Sequence, residues 1–331
     1  MTEAIDIHTH VVPESFPPYA GKGANVPWPS MQDAHACHKH VMISGKVYRT
    51  VADGSWSVPR RIEDMGAMGV ARQALSPMPE LLSYWLPLAD AKALIRFLNE
   101  EIARMIERAP ERFVGLGAVP LQDVDASLDE LEFVLAELRF AGVEIASHVN
   151  GVSIGDARFE PFFAECESRG AAVFVHALRP AGMDRIVGPF AEQAVCFPGD
   201  IGLAAASLVT GGIASRHPRL RIAFSHGGGV MPILVPRLDH AWKNLPKAQE
   251  ALREAPGDIA RRFFYDCLLF EPRAIRFLAE SFGASQVVLG SDYPFNMGEK
   301  DPLGVLAKAG LGAQATADIS GGNAKRFLGL K

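Results

Sequence analysis

The stretch Ile5-Asp6-Ile7-His8-Thr9-His10 combines an apolar run with two histidines that are two residues apart. Alternate side chains of a β-strand point to the same face, so we expect both imidazoles on one side of a strand. Later apolar runs end in His176, His226 and Asp292. Imidazole and carboxylate groups at the ends of successive strands are typical of a catalytic divalent-metal site, which makes a metalloenzyme the first hypothesis.

The spacing of the apolar runs predicts the fold. Most runs are continuous rather than alternating, as in parallel strands covered by helices, and the segments between them have helical periodicity. The predicted strands are residues 4–8, 71–75, 113–119, 143–146, 171–175, 221–225, 263–269 and 286–289. Eight βαβ units predict an α/β fold, a (β/α)8 TIM barrel. An open doubly wound sheet is the alternative, which the lack of GxGxxG after the first strand disfavours.

One domain over residues 1–331 is expected, with an insert at about residues 11–58 between the first strand and its helix. The insert is rich in Pro, Gly, Ser and His, and its apolar pieces at 41–43 and 47–48 predict a small subdomain with a short hairpin. A loop of this length in a compact domain is usually functional or separately folded.

Composition excludes several classes of function. A net charge of −5 without a basic run argues against nucleic-acid binding. No run of about 18 apolar residues stands out, and the N-terminus lacks the pattern of a secretory signal, so no membrane partner is expected. The four cysteines form no CxxC pair, which favours a reduced, cytoplasmic protein.

The ends of the predicted strands define the candidate site, because the C-terminal ends of all eight strands of such a barrel line one mouth. His8, His10, His176 and Asp292 are the predicted ligands of zinc or another first-row divalent metal. His226 is followed by three glycines that allow a tight turn, so its imidazole can face the pocket as a general base beside the metal.

His148 ends the fourth predicted strand. It could act at the site, by facing the substrate or supporting the metal ligands, or it could be purely structural. The sequence leaves both interpretations open.

Eight segments spread over nearly the whole chain carry a resemblance to a known family. They are DIHTH at 6–10, GKVYR at 45–49, RIEDM at 61–65, SYW at 83–85, VPLQD at 119–123, SHGGG at 225–229, GSDYPF at 290–295 and GNAKRF at 322–327. With these segments the chain resembles the amidohydrolase superfamily, in its branch of metal-dependent decarboxylases.

The resemblance implies roles for individual residues. The four predicted ligands would bind one zinc ion per subunit, with His226 as the catalytic acid/base and Asp292 as a second catalytic group. Arg49, from the insert, would hold a carboxylate of a small-molecule substrate, and Phe295 would pack in the substrate pocket. Arg237 matches an arginine that reaches into the neighbouring subunit's site, which implies a homodimer.

The implied activity is that of a zinc-dependent, non-hydrolytic decarboxylase. The expected substrate is a carboxymuconate semialdehyde or a related product of aromatic ring cleavage. A hydrolase of a lactone or amide, a hydratase of an unsaturated dicarboxylate and a non-catalytic carboxylate sensor are the alternatives, because the same metal ligands serve several reactions.

Two segments depart from the family pattern, and both are expected on the pocket wall. His-Pro-Trp-Asp is replaced by His176-Ala177-Leu178-Arg179, and Gln193 stands where a tryptophan is expected. Arg179 is a further candidate for contact with a substrate carboxylate.

Overall fold

The computed structural model describes residues 3–331. Its strands are β1 (Ile5–Val11), β2 (Ser30–His35), β3 (His38–Ile43), β4 (Lys46–Ala52), β5 (Arg72–Pro77), β6 (Phe113–Gly117), β7 (Gly142–Ala146), β8 (His148–Val149), β9 (Val152–Ser153), β10 (Ala172–His176), β11 (Arg221–Phe224), β12 (Phe264–Asp266) and β13 (Val287–Val288). Its α-helices are α1 (Val58–Met68), α2 (Leu88–Arg108), α3 (Val124–Glu132), α4 (Glu160–Arg169), α5 (Phe197–Thr210), α6 (Ile213–Arg216), α7 (Met231–Asn244), α8 (Pro246–Ala251), α9 (Pro256–Ala260), α10 (Pro272–Phe282), α11 (Pro302–Lys308), α12 (Ala313–Ala317) and α13 (Asn323–Leu328).

Eight parallel strands form the barrel in the order β1-β5-β6-β7-β10-β11-β12-β13. The sheet closes on itself because the segment after β13 bonds back to β1: Ile7 N–H donates to Leu289 O (3.0 Å) and Asp292 N–H donates to His8 O (2.9 Å). Each predicted apolar run overlaps one of these strands. The (β/α)8 prediction is therefore confirmed, and the open-sheet alternative is wrong.

Local sequence signals explain where the helices begin and end. The Asp123 carboxylate accepts a hydrogen bond from the Ala126 N–H (2.9 Å) and so caps α3, and Ser57 caps α1 in the same way. Helix α1 ends at Gly69, whose φ of 71° favours glycine. These caps place the helices around the strands.

Apolar side chains fill the barrel interior and its N-terminal end. The cluster contains Ile5, Ile7 and Phe174 of the strands, together with Phe327 of α13. His8, His10 and His176, which are buried polar side chains, lie toward the opposite end, where the strands run out into loops. That end carries the candidate site, as expected of this architecture.

The insert forms a three-stranded antiparallel sheet, β2-β3-β4, rather than the expected short hairpin. Its buried side chains Val41 and Val51 belong to a core cluster that also contains Met78 and Phe295 of the barrel loops. The insert therefore lies beside the C-terminal mouth of the barrel and can contribute residues to it.

The sequence predicts no apolar run of about 18 residues, but the structure contains one helical stretch of that kind. Glu192–Thr210, whose last 14 residues form α5, is long and apolar enough to cross a membrane by length and composition alone. Ile201, Ala205 and Leu208 of this stretch are buried in the protein core. A buried core helix can have the same length and apolar composition, so the stretch is weak evidence for a membrane span.

Candidate metal centre and active site

The structure brings the four predicted metal ligands together at the barrel mouth. His8 and His10 lie on β1, His176 ends β10, and Asp292 follows β13. One donor atom from each lies within 4.8 Å of the others. Oδ1 of Asp292 is 3.4 Å from His8 Nε2 and 3.2 Å from His10 Nε2. Three imidazoles and one carboxylate at this spacing can hold a single divalent ion.

The second ring nitrogen of each ligand histidine is anchored. Nδ1 donates to Asp266 Oδ2 in His8 (2.6 Å), to the Pro77 carbonyl in His10 (3.1 Å) and to the Ala177 carbonyl in His176 (2.8 Å). These bonds leave the lone pair on Nε2 free. All three Nε2 atoms are buried and have no hydrogen-bond partner within the described residues. Buried nitrogens arranged in this way fit a bound metal.

The electrostatics of the cluster favour a cation. Burial would lower the pKa of His8, but the hydrogen bond to Asp266 and the close carboxylate of Asp292 outweigh burial and raise that pKa to about 10. Burial likewise opposes ionisation of Asp292, yet the close imidazoles of His10 and His8 hold its pKa well below the usual range. The carboxylates therefore stay charged, and a divalent ion can replace the proton on His8.

His226 lies beside the predicted ligands. Its ring centroid is 5.3 Å from that of His8 and 5.0 Å from that of His176. Its Nδ1 is hydrogen-bonded to Ser225 Oγ (2.9 Å), and the half-buried ring lines the cavity. Burial, reinforced by the charge on His8, lowers the pKa of His226 to about 4. A neutral imidazole in this position can accept a proton.

The glycines after His226 set its position. His226 itself has a φ of 54°, in the left-handed region, and the chain continues through three glycines with positive φ. A Cβ on Gly229 would lie 1.8 Å from the Pro198 carbonyl oxygen. This turn therefore depends on glycine both for its backbone angles and for close packing against the start of α5.

A cavity of about 820 Å³ opens above the cluster. His176, His226 and Asp292 form its floor, and Arg49 and Phe295 line its wall. Phe295 stacks on the His10 ring with a centroid distance of 5.1 Å, and the Arg49 guanidinium lies 4.4 Å from the Phe295 centroid. Arg49 makes no ion pair within residues 3–331. Its charge is available to an anionic ligand.

The two segments that depart from the family pattern both line this cavity, through Ala177, Leu178, Arg179 and Gln193. The Arg179 guanidinium bonds to Oε1 of Glu80 (2.6 Å and 3.1 Å) and packs on the Trp85 ring at 3.2 Å. Its charge is thus neutralised by the protein, unlike that of Arg49.

Two other candidates lie outside this cavity lining. The Gly151 N–H donates to Nδ1 of His148, and Nε2 of His148 donates to the Arg179 carbonyl (3.1 Å), so both ring nitrogens bind backbone. His148 therefore connects the backbone of two loops, at Gly151 and at Arg179. Arg237 is exposed on α7 and does not contribute to the site of its own chain.

Sequence reasoning missed Asp266 and Glu144. Asp266 ends β12 and bonds to His8, while its other oxygen accepts from the Gly227 N–H (2.8 Å). The only sequence signal was a carboxylate in the middle of the apolar run 263–269. Glu144 is fully buried on β7, with Oε2 3.7 Å from His10 Nδ1. Burial raises the pKa of Glu144 to about 8.

Comparisons with known proteins agree with this geometry. The family model described as amidohydrolase matches residues 5–330. A 2-amino-3-carboxymuconate-6-semialdehyde decarboxylase of Dictyostelium discoideum is 34% identical over 328 residues, which cover 98% of this chain and 91% of the relative.

Solved structures share the fold. The apo IDCase of Metarhizium anisopliae superposes with a TM-score of 0.83 at 19% identity, over 98% of this chain and 97% of the other. A 5-carboxyvanillate decarboxylase of Novosphingobium aromaticivorans, complexed with manganese and a nitrobenzoic acid, gives a TM-score of 0.72 at 25% identity, over 82% and 80% of the two chains.

Proposed function

The chain belongs to the amidohydrolase family and is one of its metal-dependent decarboxylases, and we propose that it removes CO2 from a carboxymuconate semialdehyde. The observation that carries this proposal is the unpaired Arg49 guanidinium on the wall of a cavity whose floor is the His/Asp cluster. Guanidinium binds carboxylate through two parallel hydrogen bonds, so an anionic substrate is held between Arg49 and the cluster.

His8, His10, His176 and Asp292 would hold the metal. When bound, a divalent ion supplies Lewis-acid polarisation of a substrate oxygen. Histidine donors suit zinc as well as other first-row metals, and zinc is our proposal. The metal content of protein purified without added metal, measured by mass spectrometry, tests the choice: zinc near one equivalent supports it, and manganese or iron in that amount contradicts it.

His226 would move the proton that decarboxylation requires. A C–H bond forms at the carbon that carries the leaving carboxylate, with the proton supplied through the imidazole. The C–C bond to that carboxylate then breaks, CO2 departs, and the electron pair of the broken bond returns to the conjugated skeleton. The neutral form of His226, favoured by burial, lets the ring take up the one solvent proton that the reaction consumes and pass it to this carbon.

A substrate panel tests the proposed substrate. Metal-loaded protein is incubated with 2-amino-3-carboxymuconate semialdehyde, a dihydroxybenzoate and a simple lactone, and ultraviolet absorbance and CO2 release are followed together. We expect the semialdehyde to be consumed with one CO2 per molecule and with the highest kcat/KM. Faster turnover of the dihydroxybenzoate would reassign the substrate, and lactone opening without CO2 would favour the hydrolase alternative.

We propose that two chains assemble into a homodimer in which Arg237 reaches the partner's cavity. Its support is two exposed apolar side chains on helices that are in contact: Ile233, one turn before Arg237 on α7, is 67% exposed, and Leu203 of α5 is 58% exposed. Exposed apolar patches of this kind commonly mark protein interfaces. Arg237 would add a second guanidinium for a dicarboxylate substrate.

Mixing two inactive variants tests this arrangement. R237A and H226N are each expected to have low activity, and a hybrid dimer would combine one intact Arg237 with one intact His226 in a single site. Partial recovery of CO2 release after mixing supports the exchange of Arg237. No recovery in a mixture shown by light scattering to contain hybrid dimers would contradict it.

A further inference from the structure

The wall of the active-site cavity contains a buried carboxylate, Glu80, whose second oxygen is not bonded to an arginine and lies near the Tyr48 phenol. Glu80 follows β5 in a short helical turn, Pro79–Leu82, and its side chain is only 5% exposed. Both hydrogen bonds from Arg179 end on Oε1, so Arg179 does not occupy Oε2. Glu80 nevertheless lines the cavity. A buried carboxylate oxygen at a cavity wall is a strong hydrogen-bond acceptor for a ligand.

Arg179 is already paired with Glu80 and packed against the protein. Its guanidinium is stacked on Trp85, its carbonyl accepts a hydrogen bond from His148, and its φ of 47° fixes the loop in a left-handed turn. The guanidinium therefore positions Glu80 and opposes the rise that burial causes in the pKa of that carboxyl, and a substrate carboxylate is not expected to capture the guanidinium. This argues against the role of carboxylate clamp for Arg179.

A second carboxylate and a phenol lie in the same part of the cavity. Glu192 lines the wall and makes no ion pair within the part of the chain that the structure describes. Tyr48 also lines the wall, next to Arg49 on β4. The pKa of the Tyr48 hydroxyl is raised by burial and by the charge of Glu80, as expected of a phenol near acceptors. This part of the cavity therefore contains two carboxylates and a phenol oxygen as hydrogen-bond acceptors, and Arg49 is its one arginine without an ion pair among the described residues.

We propose that Glu80 is a specificity-determining residue that selects substrates with a hydrogen-bond donor, an amino or hydroxyl group, on the planar carboxylate skeleton. The inference rests on the proposed function, because it assumes that a conjugated carboxylic acid occupies this cavity. Arg49 takes the carboxylate, and Oε2 of Glu80 accepts from the donor. An analogue without the donor cannot form this hydrogen bond to the charged oxygen, which weakens its binding.

Three planar dicarboxylates that differ in one substituent test the inference by equilibrium binding. Phthalate, 3-aminophthalate and 3-hydroxyphthalate are titrated calorimetrically into the metal-loaded protein. We expect the amino or the hydroxyl compound to bind about tenfold more tightly than phthalate, the range of one hydrogen bond to a charged group. The two substituted compounds distinguish the two kinds of donor.

The variant E80Q keeps the shape and an oxygen for Arg179 but replaces Oε2 by a donor. It is expected to lose the preference for the amino or hydroxyl compound. E130Q is the matched control, since Glu130 is also buried and paired with an arginine, Arg96, but lies outside the cavity lining. E130Q is expected to keep the preference. Circular dichroism and thermal unfolding verify that both variants are folded.

The inference is overturned if the wild-type protein binds the three compounds equally or not at all, or if E80Q retains the preference. Because binding is measured without turnover, this result is separate from the substrate panel. CO2 release without a donor preference would remove only the role of Glu80. A donor preference without CO2 release would remove only the proposed reaction.

Discussion

Nδ1 of His8 donates to Oδ2 of Asp266 at 2.6 Å, and both side chains are fully buried. The bond fixes the tautomer and orientation of one predicted metal ligand, and Asp266 is fixed in turn by the backbone N–H groups of Gly227 and Leu268. Asp266 thus connects the metal cluster to the turn that carries His226.

D266N tests this support. The amide can keep the shape but removes the charge that makes His8 a stronger base, so the metal affinity should fall by roughly 10- to 100-fold. Competition with a chromophoric chelator measures the affinity. D200N, at another buried aspartate that bonds Ser147 instead of a predicted ligand, is the control. Equal metal affinity in D266N and wild type would contradict the assigned role.

H226N tests the acid/base role of His226. We expect kcat for CO2 release to fall by roughly 10²- to 10⁴-fold, because a positioned proton-transfer group is lost. The metal content should remain unchanged, since the proposed ligands are intact. A variant that loses its metal along with its activity would instead identify His226 as a ligand.

Gly229 should tolerate no side chain. G229A places a methyl group 1.8 Å from the Pro198 carbonyl oxygen at a φ of 58°, so the turn must shift. G45A is the control, because Gly45 has a φ of 72° with no atom within 4 Å of an added Cβ. We expect G45A to lower the free energy of unfolding by about 1 kcal/mol. G229A should lower it further and reduce kcat; equal effects in urea unfolding would contradict this.

The buried Glu144 predicts a pH-dependent stability in protein freed of metal by a chelator. Its pKa rises from 4.5 in the unfolded chain to about 8 in the native protein. Between these values the unfolded state loses a proton that the native state keeps, so stability falls as pH rises. Below pH 4.5 both states are protonated, and the effect is absent.

E144Q removes this titration. The variant should gain stability relative to wild type from pH 4.5 to 8, reaching on the order of a few kcal/mol at the upper end. Urea unfolding at a series of pH values measures the difference. A difference that does not change with pH would show that Glu144 ionises normally in the native protein.

The strands and the four predicted ligands could be located from the sequence because each apolar run is short and ends in a polar side chain with distinctive chemistry. Barrel topology then brings those ends to one mouth. Strand β2 was not predicted: its sequence SMQDAH has little apolar content, and most of its residues are exposed. It is ordered by pairing with β3, which a local pattern does not reveal.

Other site residues depend on three-dimensional contacts that spacing alone does not encode. Arg179 was a reasonable carboxylate contact by charge, but its partner Glu80 is 99 residues away. Glu144 is hidden within a buried strand, and Asp266 became informative only through its bond to His8. Charge and residue type identified candidates, and the fold decided which of them are already paired.

The most direct test of the account is CO2 release before and after removal of the metal. Chelation should abolish release from the carboxymuconate semialdehyde, and about one equivalent of a divalent metal per chain should restore it. H10A should not recover, because it lacks one of the four proposed ligands. Undiminished CO2 release from metal-free protein, or full recovery of H10A, would contradict the central claim.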